Sequence, residues 1–340
     1  MKQTLSEQFF KTGNQFLGTR YPILCGAMTW VSDPQLVANV CNAGGFASLA
    51  GGNTPVDILQ KQILQTRELT DKPFGVNLIT IAPLYRDHLQ LVRETQPDFV
   101  IFAGSFPREK EVQIARESGA RVMCFASTKS IADRMIRYGA DALILEGMEA
   151  GGHVGQVTLT ILLQQVLFEV SAVPVFVAGG IGSGKMCAHL LLMGAAGIQM
   201  GTRFAVAKEA NTHAKFKERF IKADARDAIA TPQIDSRLPV VAVRALRNKG
   251  HDEFSRLQLA LLKKLDEGSI SRIEAQMKVE EFWIGALRRA VVEGDVEHGS
   301  LMAGQSVGLV NKIQTIEEII QEIVNDTEIE LQRTRKLLCD

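Results

Sequence analysis

No stretch of the 340-residue chain approaches the roughly 20 consecutive apolar residues that a bilayer-spanning helix needs. The segment Met1–Arg20 is polar and lacks the apolar centre of a secretory signal, so a cytoplasmic protein is expected. An excess of either charge is missing too. Lys plus Arg and Asp plus Glu both number 38, for a formal net charge of zero. A balanced chain has no global positive field to hold nucleic acid and no basic block for an anionic membrane surface. Cysteine is sparse and unpatterned: Cys25, Cys41, Cys124, Cys187 and Cys339 form no CxxC and pair with no histidine at metal-ligand spacing. That argues against a zinc site or a disulfide framework and leaves buried, reduced thiols. Low-complexity and Pro/Ser-rich linker segments are absent as well.

What is present is apolar sequence in short, regularly spaced runs. Hydrophobic residues make up 46% of the chain, ample for a large core, and the length allows one large domain or two ordinary ones. Strands are predicted at Tyr21–Met28, Phe46–Ala50, Phe74–Thr80, Phe99–Ala103, Val122–Ala126, Ala142–Glu146, Val173–Ala178 and Gly197–Gly201. The segments between them have helical periodicity. In "KSIADRMIRYG", Ile131, Met135 and Tyr138 share one face while Lys129, Asp133 and Arg137 look outward. Gly119, Gly139 and Gly194 each stand where a helix ends before the next strand, the place for a left-handed C-cap. Continuous apolar strands alternating with helices imply a parallel sheet covered by helices.

Eight such units predict an α/β protein with a (β/α)8 TIM barrel; a doubly wound open sheet is the rival. No GxGxxG follows the first strand, which ends in "LCGAMTW", and the glycine-rich sites come late, so the barrel is the better reading. After the eighth strand the texture becomes charged and helical. The expected organisation is a barrel over residues 1–222, a mostly helical cap region over 223–300, and closing helices over 301–340.

Ligands of such barrels meet the C-terminal ends of the strands. "VAGGIGSGK" and "QMGTRF" follow strands seven and eight, where barrels commonly hold a phosphate on backbone N–H groups. Either motif alone reads better as a tight turn; together, at the two expected strands, they place Gly179, Gly180, Gly201 and Thr202 around a phosphate. "GIGSGK" lacks the spacing of a triphosphate P-loop. "EGMEAGGHVG", residues 146–155, puts His153 on a glycine-rich loop after strand six. An imidazole there can exchange protons near neutral pH, and flexible glycines would let the loop pass over a flat ligand. Asn77 ends strand three as a neutral hydrogen-bonding group. Glu146 and Glu149 have no constrained separation, so a glycosidase pair of carboxylates has little support.

With these residues in view, the chain resembles the flavin-dependent nitronate monooxygenase and enoyl-acyl carrier protein reductase II superfamily, through "DKPFGVNL", "EGMEAGGHVG", "AGGI", "QMGTRFAVAKEAN" and "GDVEHGSLMAGQSVGLV". The last of these, with "AVRALRNK", looks more like the reductase branch. The resemblance implies an FMN-binding TIM barrel. Ala27, Met28 and Asn77 would contact the flavin ring, and Glu146 and Gly151 its ribityl side. Gly179, Gly180, Gln199, Met200, Gly201 and Thr202 would hold the phosphate and sugar chain, and His153 would be the active-site histidine. It further implies NADH or NADPH as reductant and an enoyl thioester of acyl carrier protein or coenzyme A as substrate, with alkyl nitronate oxidation by oxygen as the alternative. The oligomeric state stays open, a homodimer being one arrangement allowed. The chain departs from the reductase pattern at Thr29 in "MTWV", at "CFAST" with Cys124 and Ser127 in place of prolines, and at "FAGSFPREK". These departures bear on substrate and nucleotide choice, not on flavin binding.

Overall fold

A computed structural model describes residues 4–238 and 241–339. The apolar runs form strands close to where their patterning places them: β1 (Ile23–Cys25), β2 (Phe46–Ala50), β3 (Gly75–Ile79), β4 (Phe99–Ala103), β5 (Arg121–Phe125), β6 (Ala142–Glu146), β8 (Val175–Ala178) and β9 (Gly197–Met200). These eight close into a parallel barrel in the order β1-β2-β3-β4-β5-β6-β8-β9. The first strand is shorter than its apolar run, because the chain turns at once: the Met28 carbonyl accepts from the N–H groups of Val31 and Ser32. Gly119, Gly139 and Gly194 all have positive φ, between 90° and 103°, at the predicted helix exits.

Alternation along the strands sorts the side chains into two packed regions. Ile23, Leu49, Val76, Phe102, Cys124, Leu145, Val177 and Met200 face outward into the layer between sheet and helices. Leu24, Phe46, Phe99, Ile101, Met123, Ile144, Phe176 and Ala178 point inward and fill the barrel. Phe16 and Leu17, from the helix Leu5–Leu17, join that inner cluster, with Phe16 edge-on to Phe99 at 5.6 Å between ring centroids. The N-terminal helix therefore plugs one end of the barrel. The other end is open: β2, β3, β4 and β6 are each buried along their length except at the last residue, which is partly exposed, and β5, whose first residue Arg121 is exposed, likewise ends on a partly exposed residue.

Beyond the barrel the chain adds more than helices. β7 (Gly152–His153), β10 (Ala228–Ala230) and β11 (Val243–Leu246) form a small sheet in the order β10-β11-β7. Two long helices, Lys249–Asp266 and Arg272–Arg288, pack on it around Leu238, Val243, Phe254, Leu261, Val279 and Trp283. The last helix, Ile316–Cys339, returns to the barrel shell, where Thr327 Oγ1 donates to the Gly184 carbonyl at 3.1 Å. Among the described residues no helix is long and apolar enough to cross a membrane.

Candidate active site

The open end of the barrel is a recess whose floor is apolar and whose wall carries three polar side chains. Register puts Glu146 beside Ala178 and Ala178 beside Gln199, so the two polar residues stand two strands apart at one level, about 10 Å across. Asn77, 8% exposed, lies at the level of Ile101 on the opposite wall. All three share the inward parity of Phe46, Ile101, Ile144 and Phe176. Glu146 is half-buried, yet the surrounding protein desolvates its carboxyl enough to push the pKa up to about 8. It is therefore mostly protonated at neutral pH and presents a hydrogen-bond donor and an acceptor rather than a fixed charge.

Ala27 and Met28, both half-buried, follow β1 at the rim. A β-carbon on Gly201 would meet only the Met28 sulfur, at an ordinary 3.6 Å, so free space lies above this position. Thr202 is 8% exposed, and its hydroxyl oxygen accepts from the Gly304 N–H at 3.0 Å, which leaves its own proton to donate. Met200 is different. Its side chain faces outward into the helix layer and is 2% exposed, so only its backbone reaches this region, where its carbonyl accepts from the Gly26 N–H. Cys124 also faces outward, fully buried, with its thiol pKa pushed up to about 12 by burial. It does not enter the recess.

The glycine-rich segment after β6 is tied to its surroundings by backbone hydrogen bonds. The Met148 N–H donates to the Val157 carbonyl, and the Gln305 N–H donates to the Glu149 carbonyl at 2.9 Å. The Glu149 carboxylate accepts from the N–H of Leu159 and so caps the helix Leu159–Gln165, a structural role that removes it from any pair with Glu146. Several glycines here and after β8 mark close contacts. A β-carbon on Gly179 would lie 2.7 Å from the Gly147 carbonyl, and one on Gly151 would lie 2.6 Å from the backbone between Ala303 and Gly304. Gly180, half-buried, lies under the Glu149 side chain, 3.1 Å from where its β-carbon would be. Close backbone approach accounts for Gly147 and Gly151, Gly152 takes a positive φ of 78°, and a β-carbon on Gly155 would meet nothing within 4 Å.

His153 accordingly sits on a strand. It pairs with Val243 of β11, and the following Val154 N–H donates to the Ala242 carbonyl. Its Nε2 stands 3.7 Å from Glu280 Oε2, and both side chains are about one-third exposed, at 37% and 34%. That is an ion-pair separation, too long for a hydrogen bond. Sequence reading missed two residues that hold this region. Glu280 lies on a helix 127 positions away, with no local signal to link it to His153. Arg244, 5% exposed, donates to the carbonyls of Met148 and Ala228 and so ties the small sheet to the segment after β6. It stands in the "AVRALRNK" motif already singled out, which was the only clue. Arg203, in "QMGTRF", is structural: it donates to the Gly182 carbonyl and pairs with Glu322 of the last helix.

A nitronate monooxygenase family profile matches residues 11–94 and 79–326. The chain belongs to the nitronate monooxygenase family. FabK from Thermotoga maritima is similar in structure, with a TM-score of 0.85 and 35% identity over 99% of this chain and 100% of that one. A (3aS,4S,5R,7aS)-5-hydroxy-7a-methyl-1-oxo-octahydro-1H-indene-4-carboxyl-CoA dehydrogenase from Mycobacterium tuberculosis is 30% identical, over 95% of this chain and 98% of that protein. A nitronate monooxygenase from Paraburkholderia phytofirmans is 26% identical over 90% and 92%. Membership of this family makes the chain an FMN-dependent oxidoreductase of TIM-barrel fold, and the recess fits that cofactor. Asn77, Glu146 and Gln199 offer neutral hydrogen-bonding groups over an apolar floor, and the free space at Gly201 beside Thr202 suits a phosphate. Among the described residues no group of His, Cys, Asp and Glu is arranged to hold a metal.

Proposed function

We propose that the protein reduces trans-2-enoyl thioesters carried on acyl carrier protein or coenzyme A, with NADH or NADPH as the electron source. The observation that supports this choice is the similarity, at 30% identity or more and over nearly the whole chain, to FabK and to a carboxyl-CoA dehydrogenase. The nitronate monooxygenase from Paraburkholderia phytofirmans stands lower, at 26%. In this reading Gly179, Gly180, Gly201 and Thr202 hold the FMN phosphate, Asn77 and Ala27–Met28 meet the ring, and Glu146 and Gln199 meet the sugar chain.

FMN, when bound, supplies a two-electron store that takes hydride from a reduced nucleotide and yields it to an acceptor carbon. The chain's own contribution is position and proton supply. Hydride addition at the β-carbon leaves negative charge on the α-carbon and thioester oxygen, so one proton must follow. His153, steadied by Glu280, donates to that oxygen or delivers the proton to the α-carbon. The neutral Glu146 carboxyl keeps a second negative charge away from the phosphate. Overall the C=C bond gains one hydride and one proton, and the nucleotide is oxidised.

The family profile and several relatives carry the nitronate name, which supports a second reading in which the same recess takes electrons from an alkyl nitronate and passes them to oxygen. Steady-state assays separate the two. Crotonyl-thioester-dependent consumption of NADH or NADPH supports the reductase; nitronate-dependent oxygen uptake without nucleotide consumption supports the alternative.

A further inference from the structure

Among the described residues two non-glycine positions have positive φ, Trp30 at 66° and Gln96 at 46°. Gln96 ends a helix, an ordinary place for a left-handed residue. Trp30 does not. It is the third residue of the turn closed by the Val31 N–H on the Met28 carbonyl at 3.0 Å, a place where positive φ calls for glycine or asparagine. An indole in that conformation is strained, and core packing does not explain it, because Trp30 is 46% exposed. The Arg288 guanidinium lies over its ring, 5.9 Å from the centroid. Arg288 also pairs with Glu293 and is half-exposed. It ends the helix Arg272–Arg288, and a π-helical stretch, Arg289–Glu293, follows at once. Such irregular turns gather at functional sites.

The placement adds an independent point. Glu280, eight residues earlier on the same helix, faces His153 after β6, whereas Arg288 faces Trp30 after β1. In the closed barrel β8 and β9 lie between those two strands. The helix thus bridges the rim over the sector that carries Gly179, Gly201 and Thr202, with about 12 Å between its two contacts.

We propose that Trp30 and Arg288 form a subsite for an adenosine phosphate: adenine stacks on the open face of the indole, and Arg288 exchanges Glu293 for the phosphate. A flat aromatic face accepts a purine without base-specific contacts, and a guanidinium fork suits phosphate oxygens. Trp30 keeps its strained backbone because the turn must present the ring to solvent at the rim. Two reactants of the proposed reductase carry this group, the pyridine nucleotide and the coenzyme A form of the substrate. An alkyl nitronate carries none. The inference rests on the reductase reading in that sense.

The chain has two tryptophans, and Trp283 is only 3% exposed, so quenching of indole fluorescence in the flavin-loaded enzyme reports Trp30 without turnover. AMP is expected to quench saturably, and adenosine to bind about tenfold more weakly. Arg288→Gln should remove that difference. Trp30→Gly relieves the backbone, so it should fold and keep its flavin, lose the quenching, and raise one KM by about tenfold or more. If the subsite serves the nucleotide, the KM for NADH or NADPH rises. If it serves coenzyme A, the KM for crotonyl-CoA rises and that for crotonyl-pantetheine does not. Trp30→Phe should restore most of the lost affinity. Absence of saturable AMP quenching, or unchanged KM values in Trp30→Gly, overturns the proposal. AMP quenching in an enzyme that reduces no crotonyl thioester keeps the subsite and counts against the reductase reading instead.

Discussion

Replacing Glu146 by glutamine should stabilise the flavin-free protein in alkaline solution and leave it nearly unchanged in acid. Burial in the recess raises the carboxyl pKa from its ordinary value of 4.5 to about 8. The folded chain therefore holds a proton that the unfolded chain releases between those values. Stability is lost as pH rises through that window, because the folded state must either keep the proton or bury a charge. At about 1.4 kcal/mol per unit the ceiling is near 5 kcal/mol. Glu146 is half-buried, so part of its hydration survives and about 2–3 kcal/mol is the working expectation. For a chain of this length that corresponds to about 3–4 °C in Tm. The assay is thermal or urea unfolding of flavin-free wild type and Glu146→Gln at intervals from pH 5 to pH 9, read as the difference between the two. Other titrating groups cancel in that difference. A gap that opens between pH 5 and pH 8 bears out the reasoning; a gap independent of pH refutes it.

Gly201→Glu should fold but lose FMN, since its β-carbon has room and its carboxylate would repel a phosphate; full flavin occupancy after reconstitution contradicts the placement of the phosphate site. Gly179→Ala should destabilise by about 2–4 kcal/mol, because φ is 92° and the new methyl would press on the Gly147 carbonyl at 2.7 Å; unfolding titrations read the loss, and a change below 1 kcal/mol, as an order of magnitude, refutes the close-contact account. His153→Ala should retain FMN and lose about 10²–10⁴-fold in the rate of electron transfer to crotonyl thioester, with a smaller loss in reduction by NADH or NADPH. An unchanged rate under conditions where chemistry limits would remove His153 from the mechanism.

The barrel was legible because strand and helix periods repeat eight times and glycines punctuate the helix exits. The two-sided nature of its strands was legible as well: with Gln199 inward, Met200 had to face out, so the family role given to Met200 needed only the alternation rule to be limited to backbone. The role of the glycines after β6 was legible only in part, for a physical reason. Glycine serves mobility and close approach equally, and only the backbone of Gly147 and of Ala303–Gly304 shows close approach at Gly179 and Gly151. The small sheet escaped notice because β7 is two residues long and pairs with a strand some ninety positions later. Glu280 and Arg288 escaped because a helix in the cap reveals nothing, by sequence, of which rim residues it faces.

The central claim is that electrons reach an enoyl thioester from this protein. The most direct test is an anaerobic single turnover. Flavin-loaded enzyme is reduced with one equivalent of NADH or NADPH, mixed rapidly with crotonyl thioester, and followed by flavin absorbance and by product analysis. Rapid return of the oxidised flavin spectrum with one equivalent of butyryl thioester is the expected result. Reduced flavin that persists with crotonyl thioester, in a protein whose oxidised flavin is reduced by an alkyl nitronate and reoxidised by oxygen, would contradict the account.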